Sequence, residues 1–271
     1  MFRHVSLVLK SLPCPLPTRQ FKVDRLLGRI FKLPCQAKEA LESVVEARDR
    51  GIHAFAETCP HYLFLTSDEY DRPGFESAKY VMTPPLRDHQ CQHALWRGLK
   101  FDDLQIVATD QCPFCFNENI YGLYRSKQLG RDNFETIPNG APGVELRLPL
   151  LFDGGVKAGK ISINRFVQLT STAPAKMFGL FPRKGAIPFG IASLHAVGSD
   201  ADLVLFDPDK QHTISATHHH SNVDYSLYEG RCVTGKVEKV FLGGELIVNG
   251  DQWLGRKGGG KYQKRSASGV F

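Results

Sequence analysis

The sequence predicts an α/β fold with parallel strands, followed by a smaller module of β structure. Strand and helix patterns alternate between residues 37 and 110, which is typical of parallel α/β units. After Gly185 the pattern becomes β in character. Residues 34–180 supply only three or four strand–helix units, whereas a closed eight-stranded barrel needs about 250 residues. The α/β part is therefore either an open sheet or the C-terminal part of a larger barrel.

Three regions follow from this pattern. Residues 1–36 form an irregular basic leader with no clear helical or strand period, residues 37–184 form the α/β part, and residues 185–271 form a β-sandwich module with a basic tail. The net charge of +6 lies largely at the two ends, but no RNA-binding signature accompanies these charges. Nucleic-acid binding is therefore not expected. No apolar run approaches about 20 residues, so no membrane span is expected either.

The elements of the α/β part can be predicted in order. The pattern predicts a helix from Ala37 to Arg48, ended by Gly51, and a helix from Gln92 to Lys100. It predicts strands over residues 52–57, 79–83 and 104–109 and further helices over residues 144–155 and 163–170. A last helix begins near Ser171 or Thr172 and ends at Gly179.

The β module carries its own turn signals. A strand is predicted over residues 201–206, and residues 237–242 and 245–248 form a hairpin around Gly243 and Gly244. Asn249 and Gly250 provide a further turn. Seven cysteines without regular spacing favour free thiols in a reducing compartment, so a cytoplasmic location is expected.

Asp110 is the first candidate functional residue. It follows the apolar strand at residues 104–109, where only Gln105 is polar before Thr109, and so lies at the carboxyl end of a strand buried on both faces. That end carries the catalytic and metal-binding groups of α/β barrels. An aspartate that begins a turn or caps a helix is the alternative interpretation.

Seven runs of sequence together resemble one family, the dihydropyrimidinases and hydantoinases of the amidohydrolase superfamily. They occur in the family's order and, with the segments between them, cover nearly everything from residue 37 onward: AETCPHY (56–62), YVMTPPLR (80–87), ATDQCPF (108–114), IPNGAPGVE (137–145), LTSTAPAK (169–176), GSDADLV (198–204) and SNVDYSLYEG (221–230). The resemblance implies that residues 37–184 are the C-terminal part of an amidohydrolase (β/α) barrel.

The resemblance also implies a chemistry. The enzymes of this family hydrolyse the ring amide of dihydropyrimidines and hydantoins with a binuclear zinc centre, which makes a metal-bound hydroxide near neutral pH. By resemblance, Asp110 is a metal ligand and handles the proton of the attacking water. Asn139 matches the residue whose backbone contacts the substrate ring, Thr83 takes the place of a serine with a similar role, and Cys112 lines the same pocket. The alternative interpretations are a plain turn at Asn139 and Gly140 and an ordinary residue before proline at Thr83. A small cyclic amide is thus the expected substrate, and a homo-oligomer, a tetramer in the family, is the expected assembly.

The sequence departs from the family pattern at its metal centre. The paired histidines, the carbamylated lysine and the next histidine of the family have no counterpart here, and one aspartate cannot hold two zinc ions that each need about four ligands. The chain is therefore expected to be a truncated and impaired member, with negligible turnover by itself. The alternative function is a non-enzymatic scaffold that resembles the collapsin-response mediator branch. A serine of the family is replaced by Thr83, which keeps a hydroxyl.

Overall fold

The computed structural model describes residues 29–32, 34–117, 126–187 and 198–267. The predicted leader, residues 1–36, lies largely outside the described residues. The chain divides into two compact units, Met1–Arg147 with Thr213–Cys232, and Leu148–His212 with Val233–Phe271. The predicted division into residues 37–184 and 185–271 stays a prediction. The compact units describe another property of the chain, since each of them combines two separate stretches of sequence.

The first unit contains a three-stranded parallel sheet. Its strands lie in the order β1-β2-β3, with β1 at Arg29–Lys32, β2 at His53–Thr58 and β3 at Ile106–Val107. Glu57 is paired with Ile106 and Thr58 with Val107. Because the strands are parallel, the residues that follow β2 and β3 come out at the same edge of the sheet.

Three α-helices belong to the same unit: α1 at Lys38–Asp49, α2 at Pro60–Phe64 and α3 at His89–Lys100. Helix α1 buries Ala40, Leu41, Val44 and Ala47, as the sequence pattern predicts. Helix α3 begins earlier than predicted because the carboxylate of Asp88 accepts a hydrogen bond from the amide of Cys91 at 2.9 Å and so caps the helix.

The strand predicted over residues 79–83 is wrong. The chain instead forms a 3₁₀ helix at Glu76–Tyr80, and the Tyr80 hydroxyl reaches the Leu227 carbonyl at 3.5 Å. Proline at 84 and 85 has no N–H for a ladder, so this short apolar run cannot continue as a strand. Further 3₁₀ helices lie at Ser67–Asp71, Lys127–Gly130, Phe134–Thr136, Val144–Leu146 and Ala216–His218.

Short helical segments follow residue 146. They are α4 at Arg147–Leu151, a π-helical segment at Phe152–Lys157, α5 at Ile163–Val167, a second π-helical segment at Gln168–Thr172, and α6 at Ala173–Met177. The aromatic rings of Phe152, Phe166 and Phe206 contact one another in the core of the second unit, with centroids 4.8 to 6.1 Å apart.

The second sheet has four strands in the order β4-β5-β6-β7. They are β4 at Leu203–Thr213, β5 at Cys232–Leu242, β6 at Glu245–Asn249 and β7 at Gln252–Trp253. The predicted hairpin between β5 and β6 is confirmed, with positive φ at Gly243 and Gly244 as a tight primed turn requires. The predicted turn at Gly250 joins β6 to β7.

Strand β4 is unusual in its exposure. It lies at one end of the strand order, and its residues Leu203, Val204 and Leu205 are all exposed, Val204 by 51%. Successive residues of a strand point to opposite faces, so both faces of β4 are open at this point.

No helix in the described parts of the chain is long and apolar enough to cross a bilayer.

Candidate active site

The carboxyl ends of β2 and β3 bring two acidic residues to one edge of the first sheet. Glu57 is the penultimate residue of β2, and Asp110 follows β3 by three residues. Asp110 is exposed and has a φ of +46°, a left-handed conformation that few L-residues adopt but that aspartate tolerates. The backbone therefore has an uncommon conformation at the predicted catalytic residue, directly before the bridge of Gln111 with Ala141.

The charge of Asp110 acts on the neighbouring Glu57. Burial, together with the negative charge of Asp110, raises the pKa of Glu57 to about 7. Burial also raises the pKa of the neighbouring Cys59 thiol, with the charges of Glu57 and Asp110 adding to the effect. At neutral pH this edge therefore holds a neutral thiol and one acid that readily exchanges its proton.

A cationic side chain lies at the same strand end. The guanidinium Nη1 of Arg147 donates to the Val107 carbonyl at 3.1 Å, which fixes it at the last residue of β3. Burial lowers the pKa of Arg147, and the charge of Cys59 acts against this lowering. An arginine remains charged at physiological pH, so it supplies positive charge near the Cys59 thiol.

Thr83 and Asn139 lie in direct contact. The Thr83 hydroxyl donates to the side-chain oxygen of Asn139 at 2.9 Å, and the Asn139 amide group donates to the Ile137 carbonyl at 3.1 Å. Both residues are exposed, so their free polar groups are open to a ligand. The structure thus brings together two residues that are 56 positions apart and that are both predicted to contact a substrate ring.

Cys112 and Asp110 lie on the segment beside Asn139. Gln111 forms a parallel bridge with Ala141, and the Cys112 amide donates to the Ala141 carbonyl at 3.3 Å. Gly140 has a φ of +152°, and a side chain there would overlap the carbonyl oxygen of Cys112. Only glycine allows this close approach, and it places the 110–112 segment against the 139–141 segment.

Sequence reasoning missed three residues that organise this region. Glu57 could have been found, because it ends a strand next to that of Asp110. Gln111 accepts hydrogen bonds from the amides of Gly143 and Val144 at 2.8 and 2.9 Å. Lys127 is fully buried and donates to three backbone carbonyls. No sequence pattern marks either of the last two, since their partners are distant in the chain.

The described residues do not provide a metal centre of the type that the resemblance implies. Across residues 29–32, 34–117, 126–187 and 198–267, no group of three or more His, Cys, Asp or Glu side chains is arranged to hold an ion. Two zinc ions would each need about four ligands. The described residues that surround Asp110 therefore do not by themselves fit a binuclear zinc site.

Comparison with known proteins places the chain in a family of hydrolases. A sequence model described as "Amidohydrolase family" matches residues 86–247, and the chain belongs to that family. The matched range includes Asp110, Cys112 and Asn139.

The chain is similar to curated D-hydantoinases. It is 47% identical over 249 residues to the D-hydantoinase of Streptomyces coelicolor, a match that covers 92% of this chain and 50% of that protein. It is 44% identical to the D-hydantoinase of Geobacillus stearothermophilus, with 93% and 51% covered. These relatives are enzymes, so the predicted alternative of a non-enzymatic scaffold is not favoured.

Solved structures give the same result. A D-hydantoinase crystal structure matches with a TM-score of 0.81 at 44% identity and covers 89% of this chain and 49% of that one. The dihydropyrimidinase of Brevibacillus agri matches with a TM-score of 0.81 at 44% identity, with 90% and 49% covered. The predicted family is therefore confirmed. The chain spans about half the length of the curated relatives it matches.

Proposed function

We propose that this chain carries the ring-binding and proton-transferring groups of a cyclic amidohydrolase of the hydantoinase or dihydropyrimidinase type. The observation that carries this proposal is the contact between Thr83 and Asn139, next to the segment that bears Asp110. These groups come from separate parts of the chain and are each exposed, and the Gln111–Ala141 bridge joins the segment that follows β3 to the one that carries Asn139. The names of the relatives support a hydantoin or a similar cyclic amide as the substrate.

The reaction requires one proton to move twice. Water adds to the ring carbonyl, the ring C–N bond breaks, and the departing nitrogen takes up a proton. An exposed carboxylate such as Asp110 can accept the proton from the water and return it to that nitrogen. Thr83 and Asn139 would orient the ring through their hydrogen-bonding groups, and Cys112 would line the same side. Orientation of this kind supplies a large part of catalysis.

The same proposal extends to the fold. The parallel sheet β1-β2-β3 with its helices is inferred to be part of an amidohydrolase barrel, and the β4–β7 sheet part of a β-sandwich. Support comes from the likeness to solved hydantoinases over 89% of the chain. The first sheet has the parallel strand order that such a barrel needs.

A chimera tests the function without requiring turnover from this chain by itself. Residues 81–145 would replace the matching segment of a curated D-hydantoinase, and hydantoin ring opening would be measured. We expect an active chimera in which Asp110→Asn lowers kcat by about 100-fold or more, because a general base contributes about that much. Thr83→Ala should raise KM by about tenfold through the loss of one hydrogen bond.

The control lies in the same segment. Thr136 is exposed, and its hydroxyl lies within hydrogen-bond distance of the Asn133 carbonyl at 2.7 Å and the Leu129 carbonyl at 3.0 Å, donating to one of them at a time. Thr136→Ala should therefore leave kcat and KM unchanged. A folded and metal-loaded chimera without activity would show that the proposal is wrong. Full activity of the Asp110→Asn chimera would contradict the role of Asp110.

A further inference from the structure

Lys127 is a buried lysine with an unusual set of partners. Its side chain has no solvent exposure, and its ammonium nitrogen donates to the carbonyl oxygens of Val81 at 2.8 Å, Pro138 at 2.5 Å and Gly140 at 3.0 Å. An ammonium group has three N–H donors, so these three carbonyls satisfy it completely. Charge-assisted hydrogen bonds of this kind are stronger than neutral ones.

The three carbonyls belong to the two segments that carry the ring-binding pair. Val81 precedes Thr83 by two residues, while Pro138 and Gly140 flank Asn139 on either side. The Gly140 amide donates to the same Val81 carbonyl at 3.1 Å. One ammonium group therefore fixes the separation of the two backbones from which Thr83 and Asn139 extend.

Lys127 is itself held firmly. Its amide donates to the Cys115 carbonyl at 2.8 Å, and the 3₁₀ helix Lys127–Gly130 that it begins is capped by the Ser126 hydroxyl. At the other end of this helix, Gly130 lies so close to Ile137 that a side chain there would overlap it. These contacts hold the backbone of Lys127 in place, and with it the position of the ammonium group.

We propose that Lys127 is a positioning residue that holds Thr83 and Asn139 at the spacing needed to bind a cyclic amide ring. This proposal rests on the proposed function for its ligand, but the local geometry can be tested separately. Lys127 does not touch the substrate in this scheme. It acts through the carbonyls of Val81, Pro138 and Gly140.

Burial works against the charge of Lys127. It lowers the pKa of Lys127 to about 7, while the neighbouring Cys112 acts in the opposite direction, so the ammonium form with its three donors is the main form below pH 7. A lysine hidden from water loses hydration that only good acceptors can replace. The three carbonyls are those acceptors, so removing the ammonium should release the two segments together.

Amide hydrogen exchange at about pH 6, below the pKa of Lys127, gives a direct test of the geometry in the whole chain. Lys127→Met should speed exchange of the Gly140 amide by about tenfold or more, since its bond to Val81 loses support. The amide of Ala108, which donates to Thr58 in the sheet at 2.8 Å, should exchange at the wild-type rate. Lys100→Met, at an exposed lysine that ends α3, is the matched control and should change neither amide.

Other results would overturn the proposal. Equal acceleration at Gly140 and Ala108 would show a general structural role, and no acceleration would show no role at all. Lys127→Gln keeps two N–H donors and should give an intermediate rate. If neither variant folds, the wild-type protein still decides the matter, because NMR of its lysine ammonium groups should show the Lys127 signal shielded from solvent exchange. A Lys127 ammonium in rapid exchange would refute the proposal.

Ligand binding then tests the link to function, with hydantoin as the probe and NMR titration as the readout. Lys127→Met and Thr83→Ala should each weaken binding by about tenfold, and the double variant should bind no more weakly than Lys127→Met. Additive losses would contradict positioning through Thr83. If the wild-type chain binds neither hydantoin nor dihydrouracil, ring binding by this chain fails, while the exchange result still decides whether Lys127 holds the two segments.

Discussion

Asp110 combines an exposed carboxylate with a left-handed backbone. Such a conformation costs most L-residues about 1 kcal/mol or more, and aspartate and asparagine adopt it more readily than others. Strain of this kind is concentrated at functional sites, where the surrounding structure holds it in place. At Asp110 the bridge between Gln111 and Ala141 provides that support.

Two substitutions separate the backbone effect from the charge effect. Asp110→Asn and Asp110→Ala both remove the negative charge that acts on Glu57, so they should differ only through the backbone. We expect Asp110→Ala to be less stable than Asp110→Asn by about 1 kcal/mol, because alanine tolerates a positive φ poorly. Urea unfolding of the two variants measures this difference. Equal stabilities would mean that the left-handed conformation is not maintained in solution.

His61 should make the stability depend on pH. It is buried beside the Tyr62 ring, and burial lowers its pKa from 6.5 to about 4. Between these values the unfolded chain takes up a proton that the folded chain does not, so stability falls as the pH falls. We expect wild-type protein to lose about 2 kcal/mol more than His61→Gln between pH 7 and pH 5. Parallel unfolding curves for the two proteins would contradict this expectation.

The site can be predicted only in part at the level of single residues. Asp110, Cys112, Thr83 and Asn139 follow from a strand end and from family resemblance, and the structure brings them to neighbouring segments. Lys127 cannot be predicted, because its role depends on carbonyls 46, 11 and 13 residues away. Backbone carbonyls carry no sequence signature, so a side chain that binds them leaves none either.

At the scale of elements, helices are predicted better than strands. Helices α1 and α3 keep an apolar face with the helical period, so the sequence locates both, although the start of α3 at His89 depends on the cap by Asp88. Strand β3 is predicted over residues 104–109 but has only two residues, Ile106 and Val107. Its neighbour Gln105 is buried and accepts a hydrogen bond from the Ala56 amide at 2.9 Å, which explains a polar residue in an apolar run.

The contact between two loop segments gives a prediction at the same scale. Gly140→Ala should destabilise the protein by about 2 kcal/mol or more, because the new methyl group would overlap the Cys112 carbonyl in addition to the strained φ. Gly74→Ala is the control, since Gly74 also has a positive φ but has open space around it, and it should cost about 1 kcal/mol. Thermal unfolding compares the two, and equal losses would show that the segments separate easily.

At the scale of the whole molecule, the sequence predicts the succession from α/β to β structure, and the described sheets agree with it. It does not predict how the compact units are composed. Residues 213–232 group with the first unit although they lie between strands β4 and β5 of the second sheet. The grouping of residues 213–232 with the first unit depends on long-range contacts, such as the hydrogen bonds of the Phe116 and Asn117 amides to the Asp224 carboxylate. No local sequence pattern encodes such contacts.

Strand β4 governs how this chain should behave at high concentration. The apolar start of β4, Leu203–Phe206, lies on a strand at the end of the sheet and can pair with the same segment of another molecule, and a lysine there hinders this pairing. We expect Val204→Lys to slow the growth of light scattering in concentrated solution and to change stability by less than about 0.5 kcal/mol. Val167→Lys adds the same charge at a helical position of similar exposure, 47% against 51%, and should not slow it.

An equal delay from both variants would mean that net charge alone controls the scattering. If only the Val204 variant delays the growth of light scattering, association in concentrated solution depends on a few residues of one strand. The choice of salt and the rate of concentration during preparation would then depend on β4 and not on the residues around Asp110.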